Sequence, residues 1–349
     1  MPSWSSPSRR QLTLLIAGIG VVAAVVAAAL LPVPYVILSP GPTLNTLSSL
    51  RGRPLIRVNG RTTYPVRGNL NLVTVSFQGG PSDQFNVFTA LQAWLTPHDA
   101  VVPEEELFGP GQSQQQVVRQ DTQQMAGSQQ AATAAALRQL RIPFTAVDTV
   151  AGTLKGLPAA AVLRKGDVIV AVDGTPVTYQ ADVARLIRAR APGSPVTLTV
   201  RRHGTLHRFR VATVREQGHA VVGMTVAESF RFPFTVKIRV GDIGGPSAGL
   251  MFALGIIDKL TPGSLSGGRF VAGTGEISAD GMVGPIGGIQ QKMAGARAVG
   301  ATVFLTPAGN CADTAGAVPA GLRLVKVSTL AGAVAALHAL DAGKPVPGC

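Results

Sequence analysis

Two residues of this chain have the surroundings expected of a nucleophile and its base. Ser247 lies in the glycine-rich segment Gly244-Gly-Pro-Ser-Ala-Gly, and Lys292 follows a second such segment, Gly284-Pro-Ile-Gly-Gly-Ile. Because paired glycines permit a sharp turn and proline suits a first helical position, we expect a helix over residues 246–259 with Ser247 in its first turn. Unpaired N–H groups there would stabilise an oxyanion beside the serine hydroxyl.

A Ser-His-Asp triad has no obvious base in this sequence, because no histidine adjoins a nucleophile-like motif, but a lysine can substitute for the histidine. The histidines are His98, His203, His207, His219 and His338. A lysine accepts the proton if burial lowers its pKa from about 10.4 toward 7–8, which corresponds to roughly 4 kcal/mol against the ammonium form. Lys292 is flanked by Ile286, Ile289, Met293 and Ala294, which is compatible with burial, although a solvated surface lysine is the ordinary alternative.

The sequence predicts neither a cofactor nor a metal. A phosphate-binding loop needs Lys-Ser/Thr after its second glycine, but Leu250 follows Gly249, and the spacing of a dinucleotide fingerprint is also absent. The two cysteines, Cys311 and Cys349, form no CxxC pair. They are either two free thiols or one disulfide that ties the C-terminus to the last domain, and the second interpretation requires a location outside the cytoplasm.

The basic charge of the chain does not indicate a nucleic-acid-binding protein. The formal net charge is +13, but the basic residues are spread along the chain and aromatic residues make up only 5% of it. Nucleic-acid-binding surfaces combine a dense basic stripe with stacking aromatics. We therefore expect acidic partners or anionic lipid, and no nucleic acid.

The N-terminal region predicts a single-pass membrane anchor. Residues 12–31 are apolar except for Thr13, and about 20 such residues cross a hydrocarbon core of roughly 30 Å. Arg9 and Arg10 precede this run, so the positive-inside rule places residues 1–10 in the cytoplasm and everything after the anchor (11–33) outside it. A cleaved signal peptide is the alternative, but the run is longer than the 7–15 apolar residues usual for one.

A juxtamembrane region over residues 34–140 is expected to contain strands and a helix. Alternating Val and Thr/Ser side chains predict the strand over 69–77. Residues 104–115 are polar and predict a loop. Gln, Ala and Leu dominate the following stretch, which predicts a helix over 121–140 with Asp121 as its N-cap.

The segment 141–216 resembles a PDZ domain. Short strands alternate there with turn signals such as Asp173-Gly174. The resemblance is carried by Gly156-Leu-Pro-Ala-Ala, Leu163-Arg-Lys-Gly-Asp-Val-Ile and Val172-Asp-Gly-Thr-Pro-Val. It implies capture of a peptide by strand addition to a sheet edge. The family's carboxylate-binding loop is expected over 144–157, where no Gly-Φ-Gly-Φ element occurs.

Residues 217–341 alternate predicted strands and helices and are followed by a tail over 342–349, so we expect an α/β or α+β domain there. This domain resembles the proteolytic domain of Lon proteases. The motifs that carry the resemblance are Gly244-Gly-Pro-Ser-Ala-Gly, Val271-Ala-Gly-Thr-Gly-Glu, Asp280-Gly, Gly284-Pro-Ile-Gly-Gly-Ile and Lys292. They occur in the family's order, and the lysine lies 45 positions after the serine.

The Lon resemblance assigns roles to individual residues. Ser247 is the expected nucleophile, Lys292 the base, and Thr274 a hydrogen-bonding support for the lysine. The amides of Gly245 and Ser247 are the expected oxyanion donors. The acidic residue that Lon proteases carry two positions before their Gly-Pro-Ser-Ala-Gly proline is replaced here by glycine, and Asp242 lies nearby instead.

Together these features resemble PDZ-containing, Lon-like proteases of the bacterial cell envelope. The expected fold is an α/β (α+β) Lon-type proteolytic domain, a small mostly-β PDZ-like domain and one N-terminal transmembrane helix. The expected activity is ATP-independent cleavage of unfolded or exposed protein and peptide substrates, and the resemblance suggests a homo-oligomer, a hexameric ring. The alternative is a non-catalytic, PDZ-type peptide-binding envelope protein with an inert Lon-like domain.

Overall fold

The computed structural model describes residues 8–349 except 81–82, 110 and 178–179. The helices of the described residues are α1 (Arg9–Leu30), α2 (Val87–Leu95), α3 (Gln114–Gln139), α4 (Gln180–Arg188), α5 (Gly249–Leu260), α6 (Ile289–Ala298) and α7 (Leu330–Asp341). The strands of the first half are β1 (Pro32–Val33), β2 (Tyr35–Asn45), β3 (Ser49–Leu50), β4 (Arg53–Pro54), β5 (Ile56–Asn59), β6 (Asn69–Gly79), β7 (Phe85–Asn86), β8 (Ala100–Pro103), β9 (Thr145–Thr153), β10 (Val168–Val172) and β11 (Thr175–Pro176). The remaining strands are β12 (Pro195–Arg202), β13 (Thr205–Ala212), β14 (Val214–Glu216), β15 (His219–Val221), β16 (Met224–Arg231), β17 (Thr235–Ile238), β18 (Phe270–Gly273), β19 (Glu276–Ile277), β20 (Val283–Gly284), β21 (Val303–Pro307) and β22 (Arg323–Val327).

Helix α1 is long and apolar enough to cross a membrane. It has 22 residues, its best 18-residue window has a mean hydropathy of 2.6, and none of its residues is buried against the rest of the protein. Ser8 caps it, and the Gln11 side chain accepts a hydrogen bond from the Ser8 amide. A fully exposed apolar helix has no partner in water, so its composition and exposure both fit a membrane span.

One of the two six-stranded sheets is assembled from both sides of the PDZ-like segment. Its strand order is β22-β21-β18-β6-β2-β8. Strand β6 pairs in parallel with β18, and β2 runs antiparallel to β6. Strands from residues 34–140 and from residues 217–341 therefore belong to one sheet, although the sequence analysis placed them in separate regions. The paired strands β6 and β18 are about 200 residues apart in sequence.

Helices cover both faces of this sheet, as the alternation of its strands requires. Leu72, Val271 and Leu305 point into one core, which also includes helices α3, α5 and α7. Their chain neighbours Val73, Ala272 and Phe304 point into the core beneath α6. The largest fully buried side chains of the protein are Phe252, Phe304, Leu55, Ile56, Leu70, Leu72, Leu137, Leu198, Leu250, Met251, Leu254 and Ile256. Successive strand residues thus serve opposite layers, which gives a three-layer α/β domain.

The PDZ-like segment forms a second sheet with its own core. Its strand order is β13-β12-β10-β9-β16, with β11 paired to β10. The predicted hairpin turn is confirmed, since Val172 pairs with Thr175 and both turn residues, Asp173 and Gly174, have positive φ. Strand β16 lies beyond the predicted end of this segment at residue 216, because it completes the sheet beside β9.

Helix α3 begins earlier than the sequence indicated. Its N-cap is Ser113, which accepts a hydrogen bond from the Gln116 amide, while the Gln116 side chain bonds back to the Ser113 amide. Asp121 lies two turns inside the helix, so its prediction as an N-cap was wrong. The polar stretch 104–115, expected as a loop, contains a short 3₁₀ turn (Glu104–Glu106) and the start of α3. The Ser-x-x-Gln capping box marks the true start of α3, whereas amino-acid composition alone indicated a later start.

Candidate active site

The expected nucleophile lies in a turn that precedes helix α5. The helix begins at Gly249 with Ala248 as its N-cap, so the prediction that Ser247 sits in the first helical turn was wrong by two residues. Gly249 cannot carry a side chain, because a Cβ there would meet Ile277 at 2.7 Å and the Ser128 hydroxyl at 2.9 Å. This close packing fixes the start of α5 directly behind Ser247.

Helix α3 holds the nucleophile turn in place. The Ser128 hydroxyl donates a hydrogen bond of 2.9 Å to the Pro246 carbonyl, and the Gly245 amide donates one of 3.2 Å to the Asp121 carbonyl. A Cβ at Gly244 would lie 2.7 Å from the Asp121 Cβ, so only glycine fits there. No local pattern connects a helix near residue 120 with Ser247, and these supports emerge only from the fold.

The two expected oxyanion donors differ in availability. The Gly245 amide already donates to Asp121, whereas the Ser247 amide makes no hydrogen bond among the described residues. A free N–H beside the Ser247 hydroxyl is the geometry that an oxyanion hole needs. The Ser247 amide is therefore the better placed of the two donors.

Lys292 is buried in the last domain. Its side chain is 4% exposed and lies in the first turn of α6, behind Gly288. Gly288 has φ = +66°, and a Cβ there would meet Val75 Cγ2 at 2.7 Å, so this glycine lets the helix start against strand β6. Burial lowers the pKa of Lys292 to about 8, and the charge of Glu276 partly opposes that shift.

Thr274 connects the lysine to the nucleophile turn. Lys292 Nζ donates a hydrogen bond of 3.4 Å to Thr274 Oγ1, and that hydroxyl donates one of 2.9 Å to the Ser247 carbonyl. The Gly275 amide donates to the same carbonyl at 2.8 Å. Thr274 is fully buried at the end of strand β18, so the sheet sets the separation between the two turns.

Ser247 and Lys292 line the same cavity, of about 1080 Å³. No direct hydrogen bond joins the Ser247 hydroxyl to Lys292 Nζ among the described residues. Asp242 also lines this cavity and is exposed, without a hydrogen bond to the described residues around it. Asp121 lines the cavity from α3, and burial raises the pKa of its carboxyl. The cavity therefore holds one carboxyl that the sequence did not point to.

One wall of the cavity is a strand with a free edge. Residues 74–77 of β6 line the cavity. On one side β6 pairs with β2 along this stretch, but on the other side β18 reaches only residues 69–72. Among the described strands nothing pairs with residues 74–77 on the cavity side, so an extended chain can add there as a further strand.

Both parts of the chain match known families. Residues 236–337 match the model of the Lon protease (S16) C-terminal proteolytic domain. Residues 149–213 match the model of the PDZ domain. The chain joins a PDZ domain to a Lon-type proteolytic domain. The predicted mixed α/β domain and the mostly-β PDZ domain are confirmed, and the N-terminal apolar helix is a candidate membrane span.

Curated relatives of this chain are Lon proteases. It is 46% identical over 69 residues to Lon protease 2 of Herpetosiphon aurantiacus, covering 20% of this chain and 8% of that protein. It is 42% identical over 69 residues to Lon protease 1 of Bacillus subtilis, covering 20% and 9%. The chain thus spans about a tenth of the length of these relatives.

Similar solved structures cover about a fifth to a quarter of this chain. The PDZ domain of an SdrC-like protein from Listeria monocytogenes is 21% identical and covers 23% of this chain and 85% of that chain, with a TM-score of 0.22. GtR34C from Geobacillus thermodenitrificans is 28% identical and covers 20% and 82%, with a TM-score of 0.19. The PDZ assignment rests on the family match.

A groove of about 310 Å³ lies between α4 and residues 220–226 of the PDZ domain. Val183 and Ile187 line it from the helix, and Gly223 and Met224 from the opposite side. The stretch 144–157, where a carboxylate-binding loop was expected, is mainly strand β9, and of this stretch only Leu154 lines the groove. The groove is completed by residues that follow the PDZ-like segment in sequence, and not by the stretch at its start.

The structure joins Cys311 and Cys349 in a disulfide, which links positions 38 residues apart. The bond ties the C-terminal tail to a short turn beside α6. In that turn Asn310 accepts a hydrogen bond from the Ile286 amide and donates one to the Ile286 carbonyl. The disulfide and Asn310 therefore brace the glycine-rich loop that leads to Lys292.

Proposed function

We propose that this protein is a serine endopeptidase in which Ser247 is the nucleophile and Lys292 the general base. The observation that carries the proposal is the chain of contacts from Lys292 through Thr274 to the Ser247 residue, inside one cavity. A lysine with a pKa near 8 has a substantial neutral fraction at physiological pH, so its lone pair can accept a proton.

The contacts define the sequence of steps. Neutral Lys292 takes the proton from the Ser247 hydroxyl as its oxygen attacks the peptide carbonyl carbon. The Ser247 amide stabilises the resulting oxyanion, and the lysine ammonium then donates the proton to the leaving amine. In the second half, Lys292 deprotonates the water that hydrolyses the acyl-enzyme. The hydrogen bond from Nζ to Thr274 keeps the amine pointed toward the serine in both halves.

The direct contact between Ser247 and Lys292 forms when a substrate is bound. Catalytic hydrogen bonds are commonly long in a free enzyme and shorten in the complex. The turn that carries Ser247 is held through its carbonyl and through Pro246, which leaves the hydroxyl free to rotate toward Nζ.

The substrates we propose are extended segments of unfolded or exposed proteins. A substrate strand that pairs with residues 74–77 presents its backbone carbonyls along the cavity that holds Ser247. A folded domain cannot supply such a strand without local unfolding, and the sequence contains no Walker A motif. We therefore propose ATP-independent cleavage, with the PDZ groove as a second contact for the peptide.

The location we propose is the outer side of the cytoplasmic membrane, with α1 as an uncleaved anchor. Arg9 and Arg10 at the start of α1 support a cytoplasmic N-terminal end, because the positive-inside rule associates basic residues with that side. The disulfide supports this orientation, because such bonds persist in oxidising compartments. A hexameric ring remains a proposal drawn from the Lon resemblance.

The alternative of an inert domain that only binds peptides is less compatible with the buried lysine. Keeping Lys292 with a pKa of about 8, well below the usual value for lysine, costs about 3 kcal/mol of folding stability at neutral pH. A domain without catalysis would gain stability by replacing that lysine with an apolar side chain. The cost is explained if the amine has a chemical role.

Cleavage of an unfolded, fluorescently quenched polypeptide tests this function. The full-length chain in lipid nanodiscs should cleave it without ATP, and added ATP should not increase the rate. Ser247→Ala should abolish cleavage, while the matched variant Ser264→Ala, in the loop after α5, should cleave like the wild type. Equal cleavage by Ser247→Ala and the wild type would rule the proposal out.

A further inference from the structure

Helix α2 carries an uncharged face that nothing in the described protein covers. Its exposed apolar side chains are Phe88, Leu91, Trp94 and Leu95, with exposed fractions from 46% to 76%. They follow helical spacing and form one face, here called the α2 face. The opposite side of the helix packs on the sheet through Ala93, beside Ile37 and Phe85. No charged residue occurs from 84 to 97.

The position of α2 is fixed to the end of α1. The side chain of Asn86, the N-cap of α2, donates a hydrogen bond of 3.0 Å to the Ala29 carbonyl in the last turn of α1. Strand β1, directly after α1, pairs with β7, directly before α2, so that Pro32 faces Asn86 and Val33 faces Phe85. The β1–β7 pairing and the Asn86 hydrogen bond therefore hold the end of α1 close to the start of α2.

This junction sets the depth of α2 relative to a bilayer. The 22 residues of α1 extend about 33 Å, close to the roughly 30 Å hydrocarbon core. Ala29 then lies at the edge of that core, on the side away from Arg9 and Arg10. At this depth tryptophan and other amphipathic side chains are favoured, and a helix with one apolar face that carries Trp, Phe and Leu can lie in the plane of the interface.

We propose that α2 lies in the membrane interface, with its α2 face inserted among lipid headgroups and upper acyl chains. The proposal rests on the proposed membrane anchor and extends it. The occupant is the bilayer itself, because the Asn86 hydrogen bond and the β1–β7 ladder hold α2 beside the end of α1, where Leu30 and Leu31 are also exposed. A second protein chain on this face would have to displace lipid at the same depth.

Seating α2 in lipid gives the proteolytic domain a second attachment point. Because α2 packs on β2 and β8, the catalytic sheet is tied to the membrane at α2 as well as at α1. A domain held at two points keeps one tilt relative to the bilayer, whereas a domain on a single helix can swing. The cavity with Ser247 would then face a constant direction.

Tryptophan quenching by lipid tests the proposal. The chain has two tryptophans, Trp4 and Trp94. The full-length Trp4→Phe variant, reconstituted in phosphatidylcholine vesicles, should show blue-shifted Trp94 emission. Lipids brominated near the headgroup end of the acyl chain should quench it more strongly than lipids brominated near the chain terminus. In the Trp4→Phe/Trp94→Phe/Leu206→Trp control, a tryptophan replaces exposed Leu206 of the PDZ hairpin, and bromolipids should leave it unquenched.

The possible failures are distinguishable. Quenching of Trp94 no stronger than that of the Leu206→Trp control overturns the inference. Blue-shifted emission without quenching overturns it as well, because protein and not lipid would then cover the α2 face. Alkaline carbonate extraction separates the anchor from α2: a chain that leaves the vesicles refutes both, while a retained chain with unquenched Trp94 refutes only the placement of α2.

Discussion

Lys292 Nζ lies 3.4 Å from Thr274 Oγ1, and both groups are almost fully buried. Thr274 in turn bonds the carbonyl of Ser247 at 2.9 Å. One threonine at the end of strand β18 thus links the two glycine-rich turns of the chain. The buried amine and the serine hydroxyl thus line one cavity, and the sheet fixes the separation between their turns. The proposed steps use neither a histidine nor a metal.

The buried amine predicts a rise of activity with pH. With a pKa of about 8, the neutral fraction of Lys292 increases about tenfold between pH 7 and pH 9, so kcat/KM should rise by about that factor and then level off. Glu276→Gln should move the midpoint to lower pH, because the carboxylate raises the pKa of Lys292. Exposed Glu216, in the PDZ region, provides the matched control: Glu216→Gln should leave the midpoint unchanged. A profile that is flat from pH 7 to 9 would contradict this role for Lys292.

The same pKa predicts a stability change of defined sign. Between pH 8 and 10.5 the unfolded chain holds a proton on Lys292 that the folded chain has released, so the free energy of unfolding rises with pH in that window. Lys292→Met should therefore raise the free energy of unfolding at pH 7 by up to about 3 kcal/mol, with less gain near pH 10.5. Denaturant titrations at both pH values measure this, and a destabilised variant at pH 7 would count against the buried, costly amine.

Thr274 is expected to position the lysine. Thr274→Val removes the hydroxyl that Nζ contacts while keeping the side-chain shape, so kcat should fall roughly 10- to 100-fold with a smaller effect on KM. The pH midpoint should also shift, and Thr274→Ser should restore both. Thr306, fully buried in the adjacent strand β21 with no hydrogen-bond partner for its hydroxyl among the described residues, is the control. If Thr306→Val lowers kcat as much as Thr274→Val, general packing explains the loss.

The start of α6 depends on Gly288 and not on its neighbour Gly287. Gly288→Ala places a Cβ 2.7 Å from Val75 Cγ2 at φ = +66°, which should destabilise the protein by about 1–2 kcal/mol and lower kcat. A Cβ added at Gly287 would meet nothing within 4 Å, and the φ of Gly287 is not positive, so Gly287→Ala should change stability little. Thermal unfolding of both variants measures the difference, and equal midpoints would show that the contact with Val75 relaxes easily.

The sequence predicted the motifs and failed on what supports them. Ser247, Lys292 and Thr274 were named from residue type and family pattern, and the structure brings the three together. The supports from Ser128 and Asp121 were missed, because more than 100 residues, including the PDZ domain, separate α3 from the nucleophile turn in the sequence. Strand β6 was assigned to a juxtamembrane region for the same reason: local periodicity identifies a strand but not its neighbour in the sheet.

The disulfide predicts a measurable dependence on reductant. Closing a loop between positions 38 residues apart should stabilise the protein by roughly 2–4 kcal/mol. Reductant should therefore lower the unfolding temperature of the wild type, and it should have no effect on the Cys311→Ser/Cys349→Ser variant. The number of thiols that react in denaturant should rise by two on reduction; an unchanged number would exclude the bond.

Covalent labelling of Ser247 tests the central claim most directly. A fluorophosphonate reacts with an activated serine hydroxyl, so its rate reports the nucleophile and its base without a choice of substrate. The label should be found on Ser247 by peptide mass spectrometry, at a rate that rises with a midpoint near pH 8. Lys292→Met should lose most of this rate, while Lys259→Met, at a partly buried lysine of α5 whose pKa is also lowered by burial, should retain it. A label on another residue, or equal rates in Lys292→Met and the wild type, would contradict the dyad.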